Sequence, residues 1–380
     1  SNLMKLKHIV LLILFSIGIK LTYFVFSVTT NDNNQSLSIQ YFKSVKKNDS
    51  HWYQKIATNG YSKITKKKDL GFSEGKNYKQ SEWAFFPLYP GLNAATSKTF
   101  QISFDVSALI WSILFSILAI IGIYWFGIIF LKDEKLALFS ALLLFCFPFS
   151  YYYSMFYTEA LFLTFLIFSF IAIHYRKYLI LSLLLIPLTI IRPNGIIMLI
   201  PLYLYFLEQN NLLQKLKLNW KLLFGKVYLT RTLFFISAPI TFLIYTFYQY
   251  KMTGHPFAFS IAQTGWYKEP TFPLLSFFRR GDFATQFNSV YAITAIIYAI
   301  YIRKKLPISL NVLILLNFLL PLCAGSVTSM PRYISVIFPL FIILSSSIFQ
   351  LKSKQIILGV VLALHFLTYY GWVINHSISF

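Results

Sequence analysis

The chain has 380 residues, of which 57% are hydrophobic and only 12% charged, with a mean hydropathy of +0.62. Soluble domains carry about 25% charged residues, so this composition excludes an ordinary soluble protein and points to one integral-membrane domain. The formal net charge is +22, but the basic residues sit mainly in short loops between apolar runs. That pattern suits anionic lipid headgroups and the positive-inside rule, and argues against nucleic acid as a partner.

In chain order, Ser1-Asn2-Leu3 ahead of Met4 reads as a tag remnant. Lys5 and Lys7 precede an apolar run over 9–28 that is long for a signal core and lacks an Ala-x-Ala site, so it is expected to stay as the first helix. Further apolar spans are predicted at 104–131, 136–155, 157–175, 178–191, 194–207, 232–252, 289–302, 308–325, 333–350 and 355–375. The fold class is therefore all-α and polytopic, with about eleven transmembrane helices. Several spans are short, and some are expected to be re-entrant or paired as one broken helix. Basic clusters at Lys132 and Lys135, Arg176 and Lys177, Lys215 to Arg231, Arg303 to Lys305, and Lys352 with Lys354 are assigned to the cytoplasm together with the N-terminus. Residues 29–103 then form the first non-cytoplasmic loop, long enough to be exempt from the charge rule. No internal repeat is apparent, which counts against inverted-repeat transporters. Cys146 and Cys323 fall within spans and read as small apolar residues.

Within the first loop, Asp49 is placed to cap a short helix ending near Gly60. Trp52, Tyr53, Ile56 and Ala57 share one face, and His51, Gln54, Lys55, Thr58 and Asn59 the other, so the helix is expected to lie flat at the membrane interface. Residues 62–80 are rich in Lys, Ser and Gly and read as a mobile loop. In Phe85-Phe86-Pro87-Leu88-Tyr89-Pro90-Gly91 the prolines and glycine predict a turn, with its aromatics in the headgroup layer.

Only twelve acids occur. Asp49, Glu82, Asp105 and Glu159 are expected near the outer face. Asp49 serves either as a helix cap or as a base; Glu82 and Asp105 read most simply as solvated. Glu159 opens a span, where a carboxylate either faces a polar cavity or favours the helix N-terminus. Arg192-Pro193-Asn194-Gly195 and Pro331-Arg332-Tyr333 put arginines on the outer side. Such arginines pair structurally, with Glu159 as one partner, or bind a lipid phosphate. The later outer loop, 253–288, brings His255, Phe257, Gln263, Trp266 and Tyr267, which suit a sugar platform and interfacial anchoring equally. There is no phosphate-cradling Gly-rich loop, no His-Glu-x-x-His, no Asp-x-Asp near Asp49 and no Cys or His cluster, so neither metal nor cofactor is expected.

Asp49-Ser50-His51-Trp52-Tyr53, Ile56-Ala57 and Gly60-Tyr61, followed by Ala84-Phe85-Phe86-Pro87-Leu88-Tyr89-Pro90, resemble the membrane mannosyltransferases related to the enzyme that adds the second mannose of glycosylphosphatidylinositol anchors. Tyr157-Thr158-Glu159-Ala160-Leu161-Phe162, Arg192-Pro193-Asn194-Gly195 and Pro331-Arg332-Tyr333 match further patches in the same order, so the resemblance covers nearly the whole chain. The family usually has Trp before the aspartate, where this chain has Asn48.

The resemblance implies a GT-C fold and inverting transfer of mannose from a polyprenyl- or dolichyl-phosphate carrier to a glycan or glycolipid acceptor. The transfer would take place on the non-cytoplasmic side of a membrane, the plasma (inner) membrane in a bacterium. Asp49 would be the base, and Arg332 with Arg192 would neutralise the departing phosphate. Candidate substrate-binding residues are His51, Trp52, Tyr53, Glu82, Phe86, Tyr89, Glu159, Arg192, Asn194, His255, Gln263, Arg332 and Tyr333. The rival readings are a transferase for another lipid-linked sugar and a lipid or sugar transporter without chemistry.

Overall fold

A computed structural model describes residues 5–30, 35–214, 221, 225–279 and 281–380. Residues 1–4, Asp32 and most of the basic stretch between Lys215 and Arg231 lie outside the described residues.

The chain begins with α1 (Leu6–Thr30), α2 (Leu37–Val45) and α3 (Asp49–Asn59). A small hairpin, β1 (Phe72–Glu74) with β2 (Asn77–Lys79), precedes α4 (Leu88–Phe100) and α5 (Phe104–Leu131). Next come α6 (Glu134–Cys146), α7 (Glu159–His174), α8 (Tyr178–Thr189) and α9 (Leu199–Gln209). Then α10 (Lys226–Leu233) continues through a 3-10 turn into α11 (Ser237–Thr253), followed by the short α12 (Ala258–Ala262) and by α13 (Phe283–Ile302). The chain closes with α14 (Ile308–Cys323), α15 (Met330–Ile334), α16 (Phe338–Phe349) and α17 (Lys354–Val373). Among the described residues, five helices are long and apolar enough to cross a membrane: Leu6–Thr30, Phe104–Leu131, Lys226–Thr253, Phe283–Lys305 and Lys354–Val373. The protein is thus an all-α membrane protein apart from the hairpin.

Several predicted spans are shorter than their apolar runs, and prolines explain where they stop. The run 136–155 ends its helix at Cys146, ahead of Pro148, and Phe149 takes a φ of 70°. The run 333–350 is divided: its first two residues end α15, and its long helix starts at Phe338 with Pro339 in the first turn. Between α8 and α9, Arg192-Pro193-Asn194-Gly195 makes a tight turn in which a Cβ at Gly195 would lie 2.0 Å from the Leu188 carbonyl oxygen. Non-helical backbone at this depth is tolerated only where protein buries it or where it lines a cavity. These breaks are therefore packed together, and Tyr153 donates its hydroxyl hydrogen bond to the Ser335 carbonyl.

Polar contacts gather the basic clusters at one end of the bundle. Lys5 lies 2.8 Å and His8 2.7 Å from Glu134. Trp125 donates to Tyr175 at 3.3 Å, and His174 meets Gln209 at 3.1 Å. Arg231 donates to Asn210 at 3.0 Å, and the Ser309 amide to Glu208 at 2.9 Å.

At the other end, the two long loops fold onto each other. Residues 62–80, expected to be mobile, carry the hairpin, and Leu70 is buried with Trp83, Ala84, Ala258 and Ala262. A Cβ at Gly265 would come within 2.2 Å of the Lys79 carbonyl oxygen, so only glycine permits this approach. The expected turn at 85–91 is also corrected. Helix α4 starts at Leu88 with Pro90 in its first turn, where a missing N–H costs little. Phe86 and Tyr89 are buried in protein rather than held among headgroups.

A Cys323→Ser background removes the one exposed native thiol among the described residues. Single cysteines at Lys76 and Lys352 are then expected to label from opposite sides of sealed vesicles with an impermeant reagent. Same-side labelling would refute the two-ended arrangement.

Candidate functional site

Asp49 is positioned by a short strap. The Phe156 amide donates to the Val45 carbonyl at 3.1 Å, Ser50 donates to the Phe156 carbonyl at 3.0 Å, and Tyr157 to the Lys47 carbonyl at 3.0 Å. These bonds fix the α2–α3 turn against the segment that enters α7. Asn48, not Asp49, takes the N-cap position, with a φ of 48° and no side-chain cap bond. The expected capping role of Asp49 is therefore replaced: it is the first helical residue, and its carboxylate turns to Arg332. Glu159 likewise opens α7. Both carboxylates thus sit at helix N-termini, where the aligned peptide dipoles favour negative charge.

Arg332 joins them. Its Nη1 lies 2.7 Å from Asp49 Oδ2 and its Nε 2.5 Å from Glu159 Oε1. Arg192 Nη1 lies 3.2 Å from the same Glu159 oxygen, close enough for an ion pair but not aligned as a hydrogen bond. The four groups form a ladder, Asp49–Arg332–Glu159–Arg192, threaded between aromatic rings. The Arg332 guanidinium lies 4.4 Å from the Tyr157 ring centre and 5.4 Å from that of Tyr152. Tyr333 sits between the two arginines, 5.5 Å from Arg192 and 5.7 Å from Arg332.

Glu159 is fully buried, whereas the Asp49 side chain keeps 26% of its exposure. Glu159 Oε2 and Arg192 Nη1 are buried yet make no hydrogen bond among the described residues. Such groups are costly to leave unmet, so the ladder retains unused capacity for a polar ligand. Lys268, from the segment between α12 and α13, interacts electrostatically with Tyr333 beside Arg332 and Arg192. Lys268 therefore adds a third cation to the site. Burial, with the Asp49 carboxylate beside it, holds the Tyr53 phenol above its ordinary value, so it remains a hydrogen-bond donor.

Of the residues singled out in the sequence, Asp49, Tyr53, Glu159, Arg192, Arg332 and Tyr333 come together here. Tyr89 packs against Tyr53 at 5.0 Å between ring centres. Trp52 forms an aromatic group with Phe85 at 5.8 Å and Trp266 at 5.6 Å, which joins the two long loops.

The others have different partners. Glu82 binds Ser62 and Lys55; burial opposes its ionisation, but the Ser62 hydroxyl and amide and Lys55 keep its carboxyl below the usual range. Phe86 packs on Tyr245 and Phe259, Asn194 donates to Asn317 at 3.2 Å, and Gln263 to the Ala84 carbonyl at 3.2 Å. The His255 amide donates to Thr253 at 3.1 Å. His51 turns to a separate groove. Asp105, expected to be solvated, pairs with Lys46 at 2.7 Å.

Sequence reasoning missed Tyr152, Tyr157 and Lys268. Tyr152 was visible only as part of the run Tyr151-Tyr152-Tyr153-Ser154-Met155-Phe156-Tyr157, Tyr157 opened the patch ahead of Glu159 but was given no role, and Lys268 carried no signal beyond its charge. Comparison with protein-family models and with curated proteins finds no match for this chain.

Removing the Glu159 charge leaves buried Arg192 without its carboxylate and Arg332 with Asp49 alone. Glu159→Gln is expected to cost about 3–5 kcal/mol of stability, the usual penalty for breaking a buried ion pair. Asp49→Asn keeps an acceptor for Arg332 in a partly exposed place and is expected to cost no more than about 1–2 kcal/mol. Thermal unfolding of both variants in detergent tests this order.

Proposed function

We propose that the chain is a membrane-embedded, inverting glycosyltransferase of the GT-C type. It moves mannose from a polyprenyl-phosphate carrier to a hydroxyl of a glycan or glycolipid. In this reading the eleven apolar segments all cross the bilayer, the basic end is cytoplasmic, and the ladder faces the opposite side. The observation that carries the reading is the ladder itself: a partly exposed carboxylate beside a buried carboxylate, with two arginines and Lys268 supplying more positive than negative charge.

Transfer from a lipid phosphate needs a base for the acceptor and cations for the leaving group. Asp49 is the more accessible of the two carboxylates and takes the acceptor hydroxyl proton. The acceptor oxygen bonds to the anomeric carbon from the face opposite the phosphate. The anomeric carbon–oxygen bond to phosphate then breaks, its electron pair stays on the phosphate oxygen, and the configuration inverts. A guanidinium carries five N–H donors, so Arg332 has some to spare beyond those given to Asp49 and Glu159. A donor phosphate that engages them draws Arg332 toward itself and loosens its hold on Asp49, which frees the carboxylate to act as base. Arg192 and Lys268 add charge at the same place. Trp52, Phe85 and Trp266 offer aromatic faces on which a sugar ring can stack.

Purified protein reconstituted with polyprenyl-phosphate mannose and a lipid-extract acceptor is expected to transfer the sugar. Asp49→Asn is expected to melt near the parent temperature while turnover falls about 10²-fold or more. Normal turnover in that variant would remove Asp49 as base. Transfer from a different lipid-linked sugar would revise the donor, and passage of donor across vesicles without transfer would favour a transporter.

Both carboxylates face guanidiniums rather than each other, which leaves no pair free to clamp a divalent ion. Transfer is therefore expected to persist in EDTA. Loss that Mg²⁺ or Mn²⁺ restores would overturn this.

A further inference from the structure

Beside the turn between α2 and α3 lies a groove of about 560 Å³ that none of the four ladder residues lines. Lys43, Lys46, Lys47 and His51 form its polar wall, and Ile39 and Phe42 of α2 its apolar wall. Asp105 is the one carboxylate on the lining, and Lys46 already neutralises it at 2.7 Å. Lys47 is anchored to the Trp372 and Val373 carbonyls and the Asn375 side chain, so its charge is held at the rim. The Lys43 side chain is exposed and has no hydrogen bond or ion pair among the described residues. Burial, with Lys46 beside it, holds the His51 imidazole below its ordinary value, so the ring offers an N–H without needing a charge.

The apolar wall continues into a lipid-like surface. Leu37 and Ile39 on α2 are 56% and 49% exposed, and Leu21 and Val25 on the last turns of α1 are exposed as well. Tyr41 of α2 packs on Phe24 of α1 with ring centres 5.6 Å apart, which holds α2 across the end of that helix. A ligand here meets three ammoniums and an imidazole on one side and apolar side chains on the other. A free anion would leave the apolar wall unused. A zwitterionic headgroup would find no unpaired carboxylate for its cation.

We infer that the groove binds the phosphate of an anionic membrane phospholipid, with an acyl chain running over Ile39 and Phe42 toward the exposed face of α1. Lys43 and Lys46 give charge-assisted hydrogen bonds to the phosphate oxygens, and His51 adds a neutral one. The site stands independently of sugar transfer, and its test does not depend on activity.

The full-length protein in detergent is titrated with fluorescent phosphatidylglycerol, with fluorescent phosphatidylcholine and inorganic phosphate as parallel arms. Saturable binding of phosphatidylglycerol is expected, with phosphatidylcholine about tenfold weaker or more. Lys43→Gln and Ile39→Asn each change an exposed side chain; each is expected to weaken binding about tenfold while the melting temperature stays unchanged. Equal affinity for the two lipids, or unchanged binding in both variants, overturns the proposal. Displacement by inorganic phosphate at the affinity of the lipid overturns the lipid assignment in favour of a free anion.

Discussion

A carboxylate with no exposure inside a helical bundle has to be neutralised, and Glu159 meets that demand by drawing Arg332 and Arg192 to a single oxygen. Arg192 comes from the break 190–198 and Arg332 from the short helix α15, set between two breaks far along the chain, while Glu159 follows another, 147–158. The charge requirement and the backbone requirement are thus met together. Unwound segments in a bilayer need protein around them, and a buried ion pair needs partners presented at close range. The aromatic run ahead of Glu159 supplies both, since its buried rings face Arg332 and its hydroxyls cap carbonyls of neighbouring segments.

Asp49 extends this arrangement to the surface. It shares Arg332 with Glu159, but it opens α3 and its side chain keeps part of its exposure. The ladder is consequently graded, from a sealed end that holds the fold to a partly open end that can exchange partners. A phosphate and a hydroxyl group are the chemical partners such an end suits. Around it, the two long loops lock together through Trp52, Phe85 and Trp266 and through the close approach at Gly265. Within the lysine-rich segment 62–80, Leu70 fills a small second core under the loops.

The sequence by itself determined the membrane class, the apolar segments, the basic end and the short helix from Asp49 to the glycine at position 60. Each follows from local quantities: hydropathy over a window, charge between windows, and periodicity along one helix. It also isolated Asp49, Glu159, Arg192, Arg332 and Tyr333, because a charge in an apolar context is conspicuous before any fold is known. Where helices stop was harder to read, since Pro90 sits harmlessly in a first turn while Pro148 follows a helix end, and only the surrounding chain separates the two cases. The partners were decided by tertiary structure alone. Which carboxylate meets which arginine, why Glu82 faces Ser62 rather than the ladder, and how Lys268 comes beside Tyr333 all depend on residues brought together from distant stretches of chain. Pairing strength falls steeply with distance and rises with burial, and neither quantity is written in the order of residues.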